Sequence, residues 1–195
     1  AGGHHVHDNY IHESWDGLSM GWQQVSASDW KNSEVDHNLI INCLDDALDI
    51  MLNCDNTRVH DNIMINNQNN VRVRSVVTTG SNYFAFYNNI LLAGPMSDNG
   101  VHMPDGSGTG TAYFYQNTIE GNNRGTDHNG IFTNQSQTDY DYWFWANNLF
   151  QGHRWLKNQP DTNLTWRADY NVYCLRPGET WSGSLGQIDT SFDPD

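Results

Sequence analysis

The segment Val6-His7-Asp8-Asn9-Tyr10-Ile11 returns later in the chain as Val59-His60-Asp61-Asn62-Ile63-Met64. Both copies fit the pattern apolar-x-x-Asn-x-apolar, and the chain contains further units of the same kind. The asparagines of the series lie on average 27 residues apart and are Asn9, Asn38, Asn62, Asn89, Asn117, Asn148 and Asn171. A repeat of this length predicts one coil of a solenoid per unit, with loops of variable length between the coils. The asparagines are expected to stack in a line and to hydrogen-bond between coils.

A second repeat keeps step with the first. It begins with Asp or Asn, usually continues with Gly or Ala, and ends in apolar-x-apolar. Its members start at Asp16, Asp46, Asn70, Asn99 and Asn129. Two strands per coil, each alternating between inward and outward residues, predict a parallel β-helix.

These repeats resemble the right-handed parallel β-helix proteins of the pectate-lyase-like superfamily, particularly secreted bacterial β-helix repeat proteins. The resemblance rests on the two segments quoted above, on Asp45-Asp46-Ala47-Leu48-Asp49-Ile50 and on Asp169-Tyr170-Asn171-Val172-Tyr173. It implies an all-β fold, a right-handed parallel β-helix (solenoid) of about seven coils of roughly 27 residues in a single domain over residues 1–195. Because the family's terminal caps are missing, we expect these residues to belong to a longer polypeptide or a larger assembly.

Charge and composition narrow the range of functions. The chain carries 9 Lys and Arg against 23 Asp and Glu, a net charge of −14. This balance excludes a basic nucleic-acid interface. No apolar run is long enough for a membrane span. The superfamily resemblance implies a secreted or cell-surface protein that acts on a polysaccharide, although the superfamily includes lyases, hydrolases, epimerases, tailspikes and adhesins.

The candidate catalytic residues occupy outward positions of the second strand. Inward apolar residues there alternate with a column formed by Ser19, Asp49, Arg72, His102 and Phe132. Asp49, Arg72 and His102 therefore supply an acid, a cation and a base on adjacent coils, with Arg74 beside them. Such a set can catalyse β-elimination or hydrolysis, with Arg72 or His102 as the base. The alternative is an ion pair on a solvated face with no catalytic role.

Carboxylates are densest at the start of this strand. Asp16, Asp45 and Asp46 are candidate ligands for calcium, which binds oxygen atoms. Stacked carboxylates need a cation, a proton or solvent between them. The pair Asp16 and Asp46 could instead act as the acid and base of a glycoside hydrolase, or the residues could only cap backbone amides.

Aromatic residues near the predicted face are candidates for sugar binding, because ring faces stack on sugars. These are Trp15, Trp22 and Phe132, with Asn134 as a polar partner. The alternative for each tryptophan is packing of a loop against the coil. The nine histidines contain no His-x-x-x-His spacing that would indicate zinc.

A non-catalytic solenoid, such as an adhesin or a filament-forming module that binds glycans, is the competing class. The loops at 75–82, 95–100 and 121–129 should wall the face in an enzyme. In a scaffold they should be flat or packed against the coils.

Overall fold

The computed structural model describes residues 2–20, 30–50, 53–73, 76, 78–103, 110–121, 129–133, 142–151, 154–157 and 165–174. Within these ranges the chain forms short β-strands and no helix. The strands pair in parallel and form three sheets. Among the described residues, no helix has the length and apolar character needed to cross a membrane.

Each of the first six coils contributes one strand to each of the three sheets, and the described residues of the seventh coil contribute one strand each to sheets A and B. Sheet A consists of β1 (His5–His7), β4 (Glu34–Asp36), β7 (Thr57–His60), β10 (Tyr83–Tyr87), β13 (Thr111–Tyr115), β16 (Tyr142–Ala146) and β19 (Thr165–Asp169). Sheet B consists of β2 (Tyr10–His12), β5 (Leu39–Ile41), β8 (Ile63–Ile65), β11 (Ile90–Leu92), β14 (Thr118–Glu120), β17 (Leu149–Gln151) and β20 (Val172–Cys174). Sheet C consists of β3 (Leu18–Met20), β6 (Asp46–Ile50), β9 (Asn69–Val73), β12 (Asn99–Met103), β15 (Asn129–Thr133) and β18 (Arg154–Lys157).

This arrangement is a parallel β-solenoid and confirms the predicted fold class. The sequence interpretation was wrong in assigning two strands to each coil, because the first repeat covers two strands. Val6 lies in β1 and Ile11 in β2, and the repeated asparagine forms the corner between them. The inward residues of all three sheets meet in one apolar core, whose largest fully buried side chains are Trp145, Phe84, Phe86, Phe114, Phe150, Met20, Ile40, Leu48 and Ile50.

The corner asparagines form a continuous ladder, as predicted. The Asn62 backbone N–H and Nδ2 both donate to Asn89 Oδ1 at 3.0 Å. The Nδ2 group of Asn62 also donates to the carbonyls of Val35, at 2.9 Å, and His60, at 2.8 Å. Links of the same kind connect all seven asparagines from Asn9 to Asn171. The ladder therefore satisfies the polar groups that each corner would otherwise bury unpaired.

A left-handed residue precedes every asparagine of the ladder. These residues have φ between 51° and 57° and are Asp8, His37, Asp61, Asn88, Gln116, Asn147 and Tyr170. A single residue in this conformation turns the chain sharply from sheet A to sheet B, and Asn and Asp tolerate it best among residues with a side chain. The corner thus explains why polar residues recur immediately before the ladder position.

The second repeat has a different register from the one read from the sequence. Asn69, and not Asn70, pairs with Asp46 and with Asn99. Asn70 is fully buried, accepts a hydrogen bond from Asn67 and donates one to the Leu92 carbonyl.

The small residues of this repeat have a steric explanation. A Cβ atom added to Gly17 would lie 2.6 Å from Ile40 Cγ2, so this position points into the core. Ala47 occupies the equivalent place one coil later and is fully buried. The limited space at this inward position, just before β3 and early in β6, therefore favours a small residue, which is Gly17 in one coil and Ala47 in the next.

Candidate functional site

The predicted catalytic residues lie on neighbouring strands of sheet C. Asp49 pairs with Arg72, Arg72 pairs with His102, and His102 pairs with Phe132. Parallel strands are separated by about 4.8 Å, so these positions form a continuous outward column. The structure thus brings together the backbone positions of the acid, the cation and the base.

The column is not the exposed surface expected from the alternation. Ser19 is exposed, but Asp49 is only 1% exposed, and Arg72 and His102 are half-buried. Asp46, which precedes this column in β6, is fully buried. The expectation of an exposed face was therefore wrong at Asp49. At the start of the same strand, Asn69 and Arg72 both contact Asp46.

Asp46 is bonded at both carboxylate oxygens. Its Oδ1 accepts a hydrogen bond from Asn69 Nδ2 at 2.8 Å. Its Oδ2 lies 3.4 Å from Arg72 Nη1, in an ion pair whose side chains are 1% and 17% exposed. The Nε atom of Arg72 has no hydrogen-bond partner among the described residues. One N–H of this guanidinium is thus buried without a described acceptor.

The electrostatic balance at Asp46 favours its neutral form. Burial raises the pKa of Asp46 from 3.8 to about 7, and the charges of Asp45 and Asp49 act in the same direction. The hydrogen bond from Asn69 and the charge of Arg72 oppose this rise. Desolvation has the larger effect on the pKa, because a buried carboxylate loses its hydrating water while Arg72 approaches only one of its oxygens, at a long distance. Asp46 can therefore be either protonated or ionised near neutral pH.

The three candidate calcium ligands also come together. One carboxylate oxygen each from Asp16, Asp45 and Asp46 lies within 4.8 Å of the other two. Asp16 and Asp45 are half-buried, whereas Asp46 is buried. We call these three residues, together with Asp49 and Arg72, the sheet C cluster. Its only described cation is Arg72, so its carboxylates outnumber its positive charges.

The remaining predicted residues fall outside this cluster or outside the described residues. Trp15 lies on the same coil as Asp16 and is 68% exposed. Trp22, Arg74 and Asn134 lie outside the described residues, as does the side chain of Phe132. The predicted roles of these four residues stay predictions.

A second group of acid and base side chains lies on the outward face of sheet A, and the sequence interpretation did not assign it a function. His60 Nε2 lies 2.7 Å from Glu34 Oε1, which also lies 3.2 Å from Arg58 Nη2. His5 Nε2 lies 2.6 Å from Asp36 Oδ1. We call His5, Glu34, Asp36, Arg58 and His60 the sheet A cluster. Its members come from β1, β4 and β7, which are adjacent strands.

The carboxylates of the sheet A cluster favour the ionised form. The hydrogen bond from His60 lowers the pKa of Glu34, with burial opposing and Arg58 assisting. Burial acts to raise the pKa of Asp36, but hydrogen bonds from His37 and His5 outweigh it and lower that pKa. The same contact with Asp36 raises the pKa of His37. Close basic partners thus lower the pKa values of these two carboxyl groups, whereas burial raises the pKa of Asp46 despite its ion pair with Arg72.

The left-handed corner residues extend the sheet A cluster. His7 Nδ1 lies 2.8 Å from Asp8 Oδ2, and His60 Nδ1 lies 2.7 Å from Asp61 Oδ2. His37 Nδ1 lies 2.6 Å from Asp36 Oδ2. In each case the corner residue contacts the last outward side chain of its own strand. In the first three coils the turn therefore adds one ionisable partner to this face.

Aromatic side chains continue the sheet A face beyond the cluster. His60 stacks on Tyr87 with ring centroids 4.7 Å apart, and Tyr87 stacks on Tyr115 at 4.8 Å. Tyr113 stacks on Phe144 at 5.1 Å. Because the rings cover one another's faces, this ladder resembles internal packing more than a platform for sugar rings. Phe144 belongs to this outward ladder, whereas the next residue, Trp145, is buried in the core.

The sequence contains a signal for the sheet A cluster. The position two residues before each ladder asparagine is always the last outward residue of sheet A, and it is occupied in successive coils by His7, Asp36, His60 and Tyr87. Sequence motifs for metal sites are defined by ligands that lie within about five residues of one another. Ligands that come from successive coils are separated by a whole repeat and escape such a search.

Comparison of the chain with protein-family models, with curated proteins and with solved structures finds no match. The fold and the two clusters are accordingly the basis for the functional inference.

Proposed function

We propose that the protein is an extracellular carbohydrate-active β-helix related to the pectate-lyase-like superfamily, and that the sheet C cluster cleaves a polysaccharide. The observation that supports this proposal is the buried Asp46, whose pKa is raised to about 7 beside Arg72. A carboxyl group with a pKa near the working pH is suited to general acid or base catalysis.

The catalytic roles are divided between the sheet C cluster and His102, which pairs with Arg72 in the same column. In β-elimination, His102 would take the proton next to the uronate carboxyl group, the glycosidic carbon–oxygen bond would break, and protonated Asp46 would donate its proton to the leaving oxygen. With His102 as the base, the Arg72 cation would stabilise the negative charge that develops on the uronate. Arg72 could replace His102 as the base only after giving up its own proton and its ion pair with Asp46. In hydrolysis, Asp46 would protonate the leaving oxygen, and Asp16 or Asp49 would activate the attacking water.

Calcium is an alternative occupant of the same position. Three carboxylates whose oxygens approach within 4.8 Å match the hard oxygen donors that calcium prefers. When bound, calcium would neutralise the carboxylates and attract an acidic sugar. Because a cation would compete with the proton and with Arg72 for Asp46, the two roles of Asp46 exclude each other. Asp46 is therefore either a proton donor or a calcium ligand in this proposal.

The burial of Asp46 determines which variants can test the proposal. Arg72→Ala would leave the buried Asp46 without its cation, so a loss of activity could reflect a loss of folding. Asp46→Asn keeps the shape of the side chain and removes its proton chemistry. Arg72→Lys keeps the charge and most of the contact. His12→Gln, on sheet B, is the matched control.

The experiment offers a panel of uronate-containing and neutral glycans to these variants. Ultraviolet absorbance detects the unsaturated ends made by elimination, and a reducing-end assay detects hydrolysis. Asp46→Asn should lower turnover at least about a hundredfold while His12→Gln leaves it unchanged. EDTA should abolish turnover only if calcium is the occupant. The absence of product from every glycan, or full turnover by Asp46→Asn, would refute the proposal.

One observation favours the competing class, a non-catalytic adhesin or filament module that binds glycans. The segment at 94–99 packs against the preceding coil, where Met96 N–H donates to Asn66 Oδ1 at 2.9 Å and Asp98 N–H donates to the Gln68 carbonyl at 2.6 Å. In an enzyme this segment is expected to project from the coils and to form one side of a substrate cleft. Glycan binding without turnover, equal in the native chain and in Asp46→Asn, would establish this class.

A further inference from the structure

We propose that the sheet A cluster is a binding site for one divalent transition-metal ion of the zinc type. This proposal goes beyond the glycan chemistry of sheet C, because it concerns another face of the solenoid and other residues. The ligands would be His5, Glu34 and Asp36, with His60 as the fourth. No pair of these side chains has the short sequence spacing of a known zinc motif.

The donor atoms already lie close together. One ligand atom each from His5, Glu34 and Asp36 lies within 4.8 Å of the other two. His60 Nε2 contacts the same Glu34 side chain at 2.7 Å. Zinc binds nitrogen and oxygen at about 2.0 to 2.2 Å, which places neighbouring ligand atoms of a tetrahedral site about 3.3 to 3.6 Å apart. Binding therefore requires shifts of less than about 1 Å for the hydrogen-bonded pairs.

The contacts of His60 are an independent indication of a cation. Carboxylate oxygens face both of its ring nitrogens, Asp61 at Nδ1 and Glu34 at Nε2. A neutral imidazole has one N–H, so one of these contacts needs either an added proton or a metal ion. In metal sites the ligating histidine usually donates its other N–H to a carboxylate, which fixes the ring. Asp61 occupies that position for His60.

The anchoring of the site is also suited to a metal. Asp36 is 8% exposed, and its second oxygen contacts His37 Nδ1 at 2.6 Å. Glu34 and Asp36 are outward residues of one strand, β4, while His5 and His60 come from the strands on either side, which gives four ligands from three hydrogen-bonded strands. Rigid strands hold ligands more precisely than loops do.

The donor set distinguishes this site from the sheet C cluster. Two imidazoles with two carboxylates suit zinc and related transition metals, whereas the three carboxylates of Asp16, Asp45 and Asp46 suit calcium. The two clusters should therefore select different ions. This difference provides an internal control within one chain.

The test is calorimetric titration of the chain with zinc chloride alone at about pH 7.5, a pH at which the histidine ligands of metals are deprotonated. We expect one saturating site per chain. His5→Gln should weaken zinc binding at least tenfold, and it should leave the fold intact because the side chain is half exposed. Asp61→Asn should weaken binding about tenfold, since it removes the group that orients His60. Calcium chloride should not compete for this site.

Two matched controls identify adventitious binding. His4→Gln removes the neighbouring histidine of the tandem pair, and His12→Gln removes an exposed histidine on sheet B. Both should bind zinc as the native chain does. Circular dichroism of every variant checks folding. The absence of a saturable site, or zinc binding that is lost in His4→Gln but retained in His5→Gln, would overturn the proposal.

Discussion

The sheet A and sheet C clusters arise from the same rung spacing and have opposite electrostatics. In sheet A, the carboxyl groups of Glu34 and Asp36 have lowered pKa values because basic side chains contact them. In sheet C, the pKa of Asp46 is raised because it is buried among other carboxylates. Both clusters contain an arginine, and the side chain of Arg58 is 50% exposed while that of Arg72 is 17% exposed.

This difference shows that stacking alone does not define a site. A β-solenoid places outward residues of successive coils side by side whatever their chemistry. Burial and the sign of the neighbouring charge then decide which protonation state is stable. The ionised carboxylates of sheet A, beside histidine side chains, therefore suit the binding of a metal ion. In sheet C, the carboxyl group of Asp46 can carry a proton near neutral pH.

The largest effect should come from removing the proton of Asp46. The ordinary pKa of 3.8 rises to about 7 in the folded chain, so the stability gained from the protonated form is present below pH 3.8 and is lost as the pH rises through 7. We expect this group to lower the free energy of unfolding by about 4 kcal/mol between pH 4 and pH 8. Urea denaturation should show the fall in the native chain and not in Asp46→Asn.

Glu34→Gln provides the matched control on sheet A. The pKa of Glu34 is lowered, so its contribution is present above the ordinary value of 4.5 and is lost as the pH falls through the folded value. The variant should therefore lose stability relative to the native chain at neutral pH and not at acidic pH. Equal pH slopes for the native chain and Asp46→Asn would contradict the difference between the clusters.

Removing each arginine should give the next largest effect. Arg72→Ala leaves the buried Asp46 carboxyl without its counter-ion and should cost about 3 kcal/mol at pH 8. Arg58→Ala removes a half-exposed partner of Glu34 and should cost less than about 1 kcal/mol. Thermal or urea unfolding of the two variants in parallel measures the contrast. Similar losses in both would mean that burial does not separate the two faces.

The smallest effect concerns His37. The hydrogen bond with Asp36 raises the pKa of His37 above its ordinary 6.5, although the ring is exposed. In metal-free protein, an NMR titration of the imidazole should show this rise. Asp36→Asn should return the midpoint toward 6.5. A His37 midpoint unaffected by the substitution would show that the contact is not formed in solution.

The sequence was sufficient to predict the fold and part of the candidate site. The apolar-x-x-Asn-x-apolar repeat identified every asparagine of the ladder, since the same corner is rebuilt in each coil. The register of Asp49, Arg72 and His102 followed from the alternation of inward residues. Asn69 was missed because the inward corner of β9 holds Asn70, where the other coils carry Gly or Ala.

Burial and the sheet A cluster were harder to predict. The buried state of Asp46 depends on how side chains of the next strand lie against it, which a one-coil pattern does not contain. The sheet A cluster combines residues from three coils. His7 and His60 were recognised as equivalent positions, but the repeat does not specify which carboxylate each ring contacts. His7 contacts Asp8 of its own coil, whereas His60 also contacts Glu34 of the preceding coil.

At each corner, the ladder asparagine and the left-handed residue before it are under different constraints on substitution. The asparagine must stay, because both neighbouring coils depend on its amide. The residue before it makes its contacts at the surface, as Asp8, His37 and Asp61 do. Substitutions at that one position, natural or designed, can therefore change the pKa values and the metal affinity of the side chains on the adjoining face. The asparagine ladder and the fold of the solenoid stay the same.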